Sequence, residues 1–148
     1  MSLAMNSEER EAFLADRHVG VISIETSGGP PLAVPIWYDY SPEIGLWVLT
    51  GAHSLKGKAL AAAGRFSLCA QVEEPPNYQY VSVSGPIVSI RPSDNEADGR
   101  PMARRYFGDA LGDLYVDSGA SDGSTVFTMR PERWLTVDYG KLEAPPGA

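Results

Sequence analysis

Residues 44–72, IGLWVLTGAHSLKGKALAAAGRFSLCAQV, read as strand, loop, helix and strand in immediate succession. Leu46 to Thr50 is a short apolar run bounded by turn residues, which predicts a strand. Ser54 is placed to cap a helix from Leu55 to Ala63, an Ala/Leu-rich run of high helix propensity, and Gly64 to end it. Phe66, Leu68, Ala70 and Val72 then alternate with Ser67, Cys69 and Gln71, so a half-buried strand resumes. The window holds neither Asp nor Glu, although the chain carries 19 acids against 12 Lys and Arg. An even spread would put roughly three or four acids here. Lys56, Lys58, Arg65 and His53 therefore form a local positive field in a chain of net charge −7.

The same reading extends in both directions. Asn6 and Glu9 form a capping-box pattern for a helix over 7–16. Residues 18–25 read as a strand and Gly28-Gly-Pro-Pro31 as a turn. Leu32 to Asp39 alternates as a strand and is expected to form a hairpin with 46–50 across the Ser41–Gly45 turn. Pro35 has no amide proton, so its position must face an edge, a bulge or a ligand. Beyond the window, Glu73 to Asn77 is a Pro-rich turn, and Tyr78 to Ile90 a long strand with a bulge expected at Gly85-Pro86. Residues 91–100 read as a loop, Pro101 as the opening of a helix to Phe107, and 109–116 as a further helix. Two final strands cover 124–130 and 133–139. No βαβ rhythm and no internal repeat occurs, and the sum is a mainly β antiparallel barrel of six or seven strands with short peripheral helices.

Size predicts one domain, over residues 5–141. Residues 1–4 resemble an expression scar and are set aside; residues 142–148 are expected to be a mobile tail. No apolar run approaches the ~20 residues of a membrane span, and no signal segment opens the chain. A cytoplasmic protein with no membrane partner is the expectation. Broad nucleic-acid binding is opposed by the acidic balance. Cys69 alone makes no disulfide or metal cluster, and His18 and His53 make no metal motif, so no metal is expected.

A phosphate fits the positive window. A helix start presents unpaired amides and the positive end of the dipole; Thr50, His53 and Ser54 add short donors, and Lys56 and Lys58 add charge. Taken alone, a Ser-capped helix with two surface lysines is also an ordinary structural feature. Aromatic residues are the second clue: Trp37, Tyr38, Tyr40 and Trp47 on the first hairpin, Tyr78 and Tyr80 on the long strand, Trp134 and Tyr139 on the last. They suit a planar ring and equally suit a core or a dimer interface. No nucleophile elbow, P-loop or dinucleotide fingerprint is present. Cys69 reads as an inert mid-strand thiol and His18 as structural, so no catalytic residue is assigned. An enzyme of this kind needs a cofactor to carry the chemistry.

Thr50-Gly-Ala-His-Ser54-Leu-Lys56, Leu60 and Gly64-Arg65-Phe-Ser67-Leu68 resemble the flavin-phosphate motif of the pyridoxamine 5′-phosphate oxidase-like split barrels. Ala33-Val-Pro-Ile-Trp37-Tyr38 is similar to that family's ring-lining strand, Tyr80-Val-Ser-Val-Ser-Gly85 to the strand after it, and Arg130-Pro-Glu-Arg-Trp134 to its closing strand. Arg104-Arg-Tyr-Phe-Gly108 resembles a helix end common in actinobacterial flavin/deazaflavin oxidoreductases. The resemblance spans about residues 12–139. It implies a Greek-key split barrel, a homodimer with cofactor clefts between subunits, and FMN or, alternatively, F420 as cofactor. It also implies contact from Lys56 to the phosphate, with Thr50 and Ser54 beside it and Lys58 as a second basic residue, and backbone facing the ring around Pro35–Trp37 and Val48–Thr50; His53 as a donor and Tyr80 and Trp134 as aromatics complete the expected cofactor-binding set. Leu55 and Ala59 stand where relatives carry polar residues. The arginines that grip pyridoxal substrates are missing, so pyridoxamine phosphate oxidase activity itself is not implied.

The reading that follows is an oxidoreductase passing hydride between bound FMN or F420 and a small organic substrate. The rival is a non-catalytic protein that binds a cofactor or a tetrapyrrole-like ligand; a protein–protein module that has lost the site is the third reading, and an oligonucleotide-binding barrel a distant fourth. F420 would want further basic residues for its acidic tail, and Arg17, Arg91, Arg104 and Arg105 are the available ones.

Overall fold

The computed structural model describes residues 2–142. Among them lie eight strands and four α-helices: α1 (Ser7–Ala15), β1 (Gly20–Ile24), β2 (Leu32–Ile36), β3 (Tyr38–Ser41), β4 (Gly45–Gly51), α2 (Leu55–Ala63), β5 (Arg65–Glu74), β6 (Asn77–Pro92), α3 (Arg100–Phe107), α4 (Asp109–Asp117), β7 (Ser124–Met129) and β8 (Arg133–Asp138). The expected tail lies outside the described residues from 143 onward. At the other end, the amide of Asp138 donates to Leu3 O and the amide of Met5 to Thr136 Oγ1. Met5 is buried, so residues at the edge of the set-aside segment pack on the last strand.

All strand pairs are antiparallel, in the order β2-β1-β5-β6-β7-β4-β3, with β8 also on β6. The fold is a mainly β split barrel. The predicted strand at 32–39 is two strands. At Trp37 the chain turns, so that β2 pairs back on β1 (Val21 opposite Pro35) while β3 pairs with β4 (Tyr38 opposite Val48). Only the second half of the expected hairpin forms, and the division raises the strand count to eight. β2 ends the sheet order, so Pro35, with no amide to donate, sits on an edge strand.

β6 joins the two halves of the barrel. Its first part pairs with β5 on one side and β8 on the other; from Ile87 it pairs with β7. The chain leaving β7 crosses the strand at Gly85, where the amide of Arg130 donates to Pro86 O and that of Glu132 to Ser84 O. A Cβ on Gly85 would stand 1.8 Å from Arg130 O. Gly85 is thus required by a backbone-to-backbone crossing, while the register shift expected at Gly85-Pro86 occurs between Ile87 and Ser89. The expected loop at 91–100 contains a π-helical turn, Asn95–Gly99, because the Asp94 carboxylate accepts the Glu96 and Ala97 amides and buried Asp98 pairs with Arg91.

One core fills the barrel: Ile22, Ile24, Ile36, Tyr38, Leu46, Val48, Phe66, Leu68, Val81, Val83, Phe127 and Met129 from the strands, Phe13 and Leu14 from α1, and Leu60 from α2. α1 carries the predicted capping box, Asn6 accepting from Glu9 N while Glu9 accepts from Asn6 N. Met102, Ala103, Val116 and Val126 are buried outside this core, in a smaller cluster formed with α3 and α4.

Gly85→Ala is expected to lower the unfolding free energy by about 2–4 kcal/mol, through overpacking against a backbone carbonyl that has no rotamer to yield. Gly29→Ala, whose added Cβ meets nothing nearer than 3.6 Å, should stay within about 0.5 kcal/mol of wild type. Urea denaturation of both variants checks the pair; equal stabilities would refute the crossing constraint.

Candidate functional site

Tyr38 faces Val48 across the β3–β4 pair, and β4 runs on from there to Gly51, where the loop to α2 begins. Continuing that register puts Trp37 beside Leu49, and both line a cavity of about 70 Å³. This is where the barrel splits, β2 leaving toward β1 and β4 toward α2. The cavity is far too small for a nucleotide.

The loop geometry assigns the short donors. Ser54 Oγ accepts the Gly57 amide at 3.0 Å and donates to Gly51 O at 2.7 Å. Its proton is therefore used, and in the 3.1 Å contact with Thr50 Oγ1 the threonine must donate. Neither hydroxyl retains a proton for a phosphate, so Thr50 and Ser54 build the loop and do not serve as ligand donors. Gly57 lets the helix start sit on the loop, since a Cβ there would stand 2.0 Å from Gly51 O. The amides of Leu55 and Lys56, first in α2, have no acceptor among the described residues. Lys56 is half-buried, Lys58 and His53 are exposed, and neither lysine forms an ion pair among the described residues. Lys56 and the free Leu55 and Lys56 amides thus share the opening turn of α2 in a stretch without acids, which suits a phosphate, while Lys58, two residues on, is turned roughly 200° around the helix from Lys56. Leu55, the first residue of α2, is an apolar side chain 72% exposed.

The residues expected around a ring divide. Pro35 is exposed on the edge strand. Trp37 is stacked on Tyr106 (centroids 5.0 Å apart, 6° between planes), with the edge of Phe107 at 4.9 Å and Tyr115 at 5.7 Å. Val48 is fully buried in a strand paired on both sides, so its side chain supports the corner from within the core. Trp134 packs against α1, with the Arg10 guanidinium 4.5 Å from its centroid and Tyr40 edge-on. Tyr80 is half-buried on the outer face of the sheet between Gln71 and Val137. An open groove of about 530 Å³ lies elsewhere on that face, near Ser23, Arg65, Ser67, Ser84 and Arg133.

The sequence reading missed the partners of Trp37. Arg105, Tyr106 and Phe107 end α3 and all three engage the corner; their only signal was the Arg-Arg-Tyr-Phe-Gly run itself. The structure also pairs three of the four arginines considered for an acidic tail, leaving Arg17 exposed. Arg91 pairs with Asp98, Arg104 with Asp113, and Arg105 with Asp39. His18 stacks on Phe13 and bonds Phe13 O through Nε2, and burial pulls its pKa below the usual imidazole value. Burial pushes the half-buried Cys69 thiol up, in keeping with an inert group.

The family description pyridoxamine 5′-phosphate oxidase matches residues 7–138. The chain belongs to this family. No curated protein matches the sequence. Among solved structures, protein Rv2991 of Mycobacterium tuberculosis is similar at 21% identity and a TM-score of 0.76, covering 99% of this chain and 92% of that one. An F420 reductase is similar at 18% identity and a TM-score of 0.67, covering 84% of this chain and 94% of its own. An FAD-binding protein of Mesorhizobium loti is similar at 17% identity and a TM-score of 0.63, covering 91% and 96%. At these identities the likeness to solved structures shows the fold alone. No helix among the described residues is long and apolar enough to cross a membrane.

The corner of this oxidase-family barrel depends on charge. Hydrogen bonds from Arg104 and then Arg100 hold the Asp113 carboxyl down to about 2, tying α4 to α3. Because the folded pKa lies below the unfolded value of about 3.9, this stabilisation is complete above that value and is lost as pH falls toward about 2. Trp fluorescence between those pH values should report a loosening near Trp37 in the wild type, and Asp113→Asn should be loosened already at neutral pH, without that acid step.

Proposed function

We propose that the protein binds a flavin-type nucleotide, FMN first and F420 as the alternative, and acts as an oxidoreductase on a small organic substrate. The observation that carries this reading is the opening turn of α2 at the end of β4, where Lys56 stands beside the free Leu55 and Lys56 amides in a stretch without acids. Membership of the pyridoxamine 5′-phosphate oxidase family supports it. When bound, such a cofactor supplies hydride transfer, for which the polypeptide need contribute no acid–base pair. The chain's own part is to hold the phosphate at Lys56, to present the Pro35–Trp37 edge as a wall for the ring, and to keep both fixed on the rigid barrel. The FAD-binding and F420-reducing relatives support each cofactor class in turn. FMN is placed first because three of the four arginines considered for a polyanionic tail, Arg91, Arg104 and Arg105, are already paired with Asp98, Asp113 and Asp39, which leaves exposed Arg17.

The cleft proposed here is completed by a second copy of the chain. The outer face of the sheet carries a cross-strand row of Pro35, Val21, Cys69, Ser82 and Leu135, in register across five strands. Leu135 is 63% and Val21 44% exposed, so apolar surface lies open beside the edge strand. A homodimer packed there would bring a second wall to a ring at Trp37.

A non-catalytic binder is the second reading. It is favoured by exposed, apolar Leu55 and by the engagement of Arg105 and Tyr106 with backbone groups, which leaves no free acid or base beside Trp37 on those residues. Turnover of the reduced, protein-bound cofactor with generic acceptors separates the two; a bound but unreactive cofactor would favour storage or delivery.

Charge-assisted contacts of the Lys56 type contribute roughly 1.5–3 kcal/mol each. Lys56→Ala is therefore expected to raise the FMN dissociation constant at least about tenfold in a fluorescence titration. An unchanged constant would remove Lys56 from the site. Failure of the wild-type protein to bind either FMN or F420 at high concentration would remove the cofactor reading altogether.

A further inference from the structure

The corner at Trp37 is held by three consecutive side chains of α3. Tyr106 Oη accepts the Tyr38 amide at 3.1 Å, and its own proton is shared between His18 O at 2.6 Å and Tyr38 O at 3.0 Å. The Arg105 guanidinium donates to Tyr38 O at 3.1 Å, to Ala15 O at 3.0 Å and to Asp16 O at 2.9 Å, and lies 3.2 Å from the Asp39 carboxylate. The Phe107 ring stands edge-on to Trp37, whose indole lies parallel to the Tyr106 ring. β3 begins at Tyr38 and β2 ends at Ile36, so the single residue between them carries no sheet pairing. Its position is set from outside the barrel by Arg105, Tyr106 and Phe107.

We infer that Arg105 and Tyr106 are positioning residues for the ring wall of the proposed cofactor site: α3 fixes the Trp37 indole and the 36–38 backbone so that the edge of β2 is preformed for a planar ligand. This rests on the flavin reading above and extends it to residues remote from the phosphate loop. The physical reason is preorganisation: a wall whose peptide and ring orientations are already fixed loses less conformational freedom on binding. The clamp is directed at one peptide. A hydroxyl that both accepts the Tyr38 amide and donates to carbonyls can be replaced by nothing on phenylalanine, while the aromatic stack remains. Tyr106→Phe therefore separates orientation of the backbone from packing of the ring. The helix carrying the clamp is itself tied down by Arg100 to Glu96, Asp113 and Asp117.

The experiment compares wild type, Tyr106→Phe and Lys56→Ala by titration with FMN, by competition with inorganic phosphate, and by thermal unfolding of the ligand-free protein. The inference expects Tyr106→Phe to raise the FMN dissociation constant about fivefold or more and to shift the visible absorption band of bound FMN. The phosphate competition constant should stay at its wild-type value, and that constant should weaken only in Lys56→Ala. A Tyr106→Phe protein with wild-type FMN affinity and spectrum overturns the inference and leaves the cofactor reading standing. Equal losses for FMN and inorganic phosphate, in step with a lowered melting temperature, overturn it in favour of a purely structural role. Absence of FMN binding by the wild type, in a protein that also fails to bind F420, overturns both.

Discussion

The barrel depends on one close crossing of backbone over backbone. β6 can serve two sheets only because the chain leaving β7 passes directly over Gly85, with the Arg130 and Glu132 amides bonded to Pro86 and Ser84 carbonyls on either side of it. A side chain at 85 would push β8 off the first half of β6 and β7 off the second. Everything that positions the site follows. β7 holds β4 in register, β4 holds β3, and β3 begins at the corner where Trp37 stacks on Tyr106. The cleft is thus determined by hydrogen-bond register, while α2 and α3 supply the groups that face it.

Much of this architecture could be read from the chain because local signals and the global fold agree. The capping box at Asn6 and Glu9, the Ser54–Gly64 helix and the alternation along β5 all form as their patterns predict. Two features lay beyond local pattern. The break at Trp37 sits inside an uninterrupted period-two alternation, so nothing within residues 32–39 distinguishes one strand from two; the division comes from the competing partners β1 and β4 and from the α3 clamp. The turn over Asn95–Gly99 depends on buried Asp98 pairing with exposed Arg91, two residues seven apart that carry no helical or strand period.

The candidate site was legible in the same uneven way. Lys56 stands out from charge distribution alone, as a cation in a stretch without acids, and the structure leaves it without an ion pair among the described residues. Hydroxyl roles do not follow from residue type. Thr50 and Ser54 carry the right groups at the right places, yet the directions of three hydrogen bonds commit both protons to the loop. Aromatic residues are ambiguous for a related reason. Trp37 and Trp134 are equivalent in a sequence, and only packing separates the indole at the split from the one beneath Arg10.

Charge type divides along the same line as function. The arginines that organise the outer helices work through forked, multidentate contacts: Arg100 reaches three carboxylates, Arg104 clasps both oxygens of Asp113, and Arg105 gathers three carbonyls and Asp39. Planar guanidinium suits that fixed geometry, whereas a lysine ammonium is a mobile point charge on a flexible stem. Lys56 and Lys58 stand at the one helix start in the window where acids are missing. In a chain with net charge −7, an anion approaching from solvent is repelled over most of the surface, so the attraction is concentrated at that opening. The acids elsewhere therefore raise the electrostatic contrast between the α2 start and its surroundings, and the arginines that neutralise some of them are held in fixed pairs.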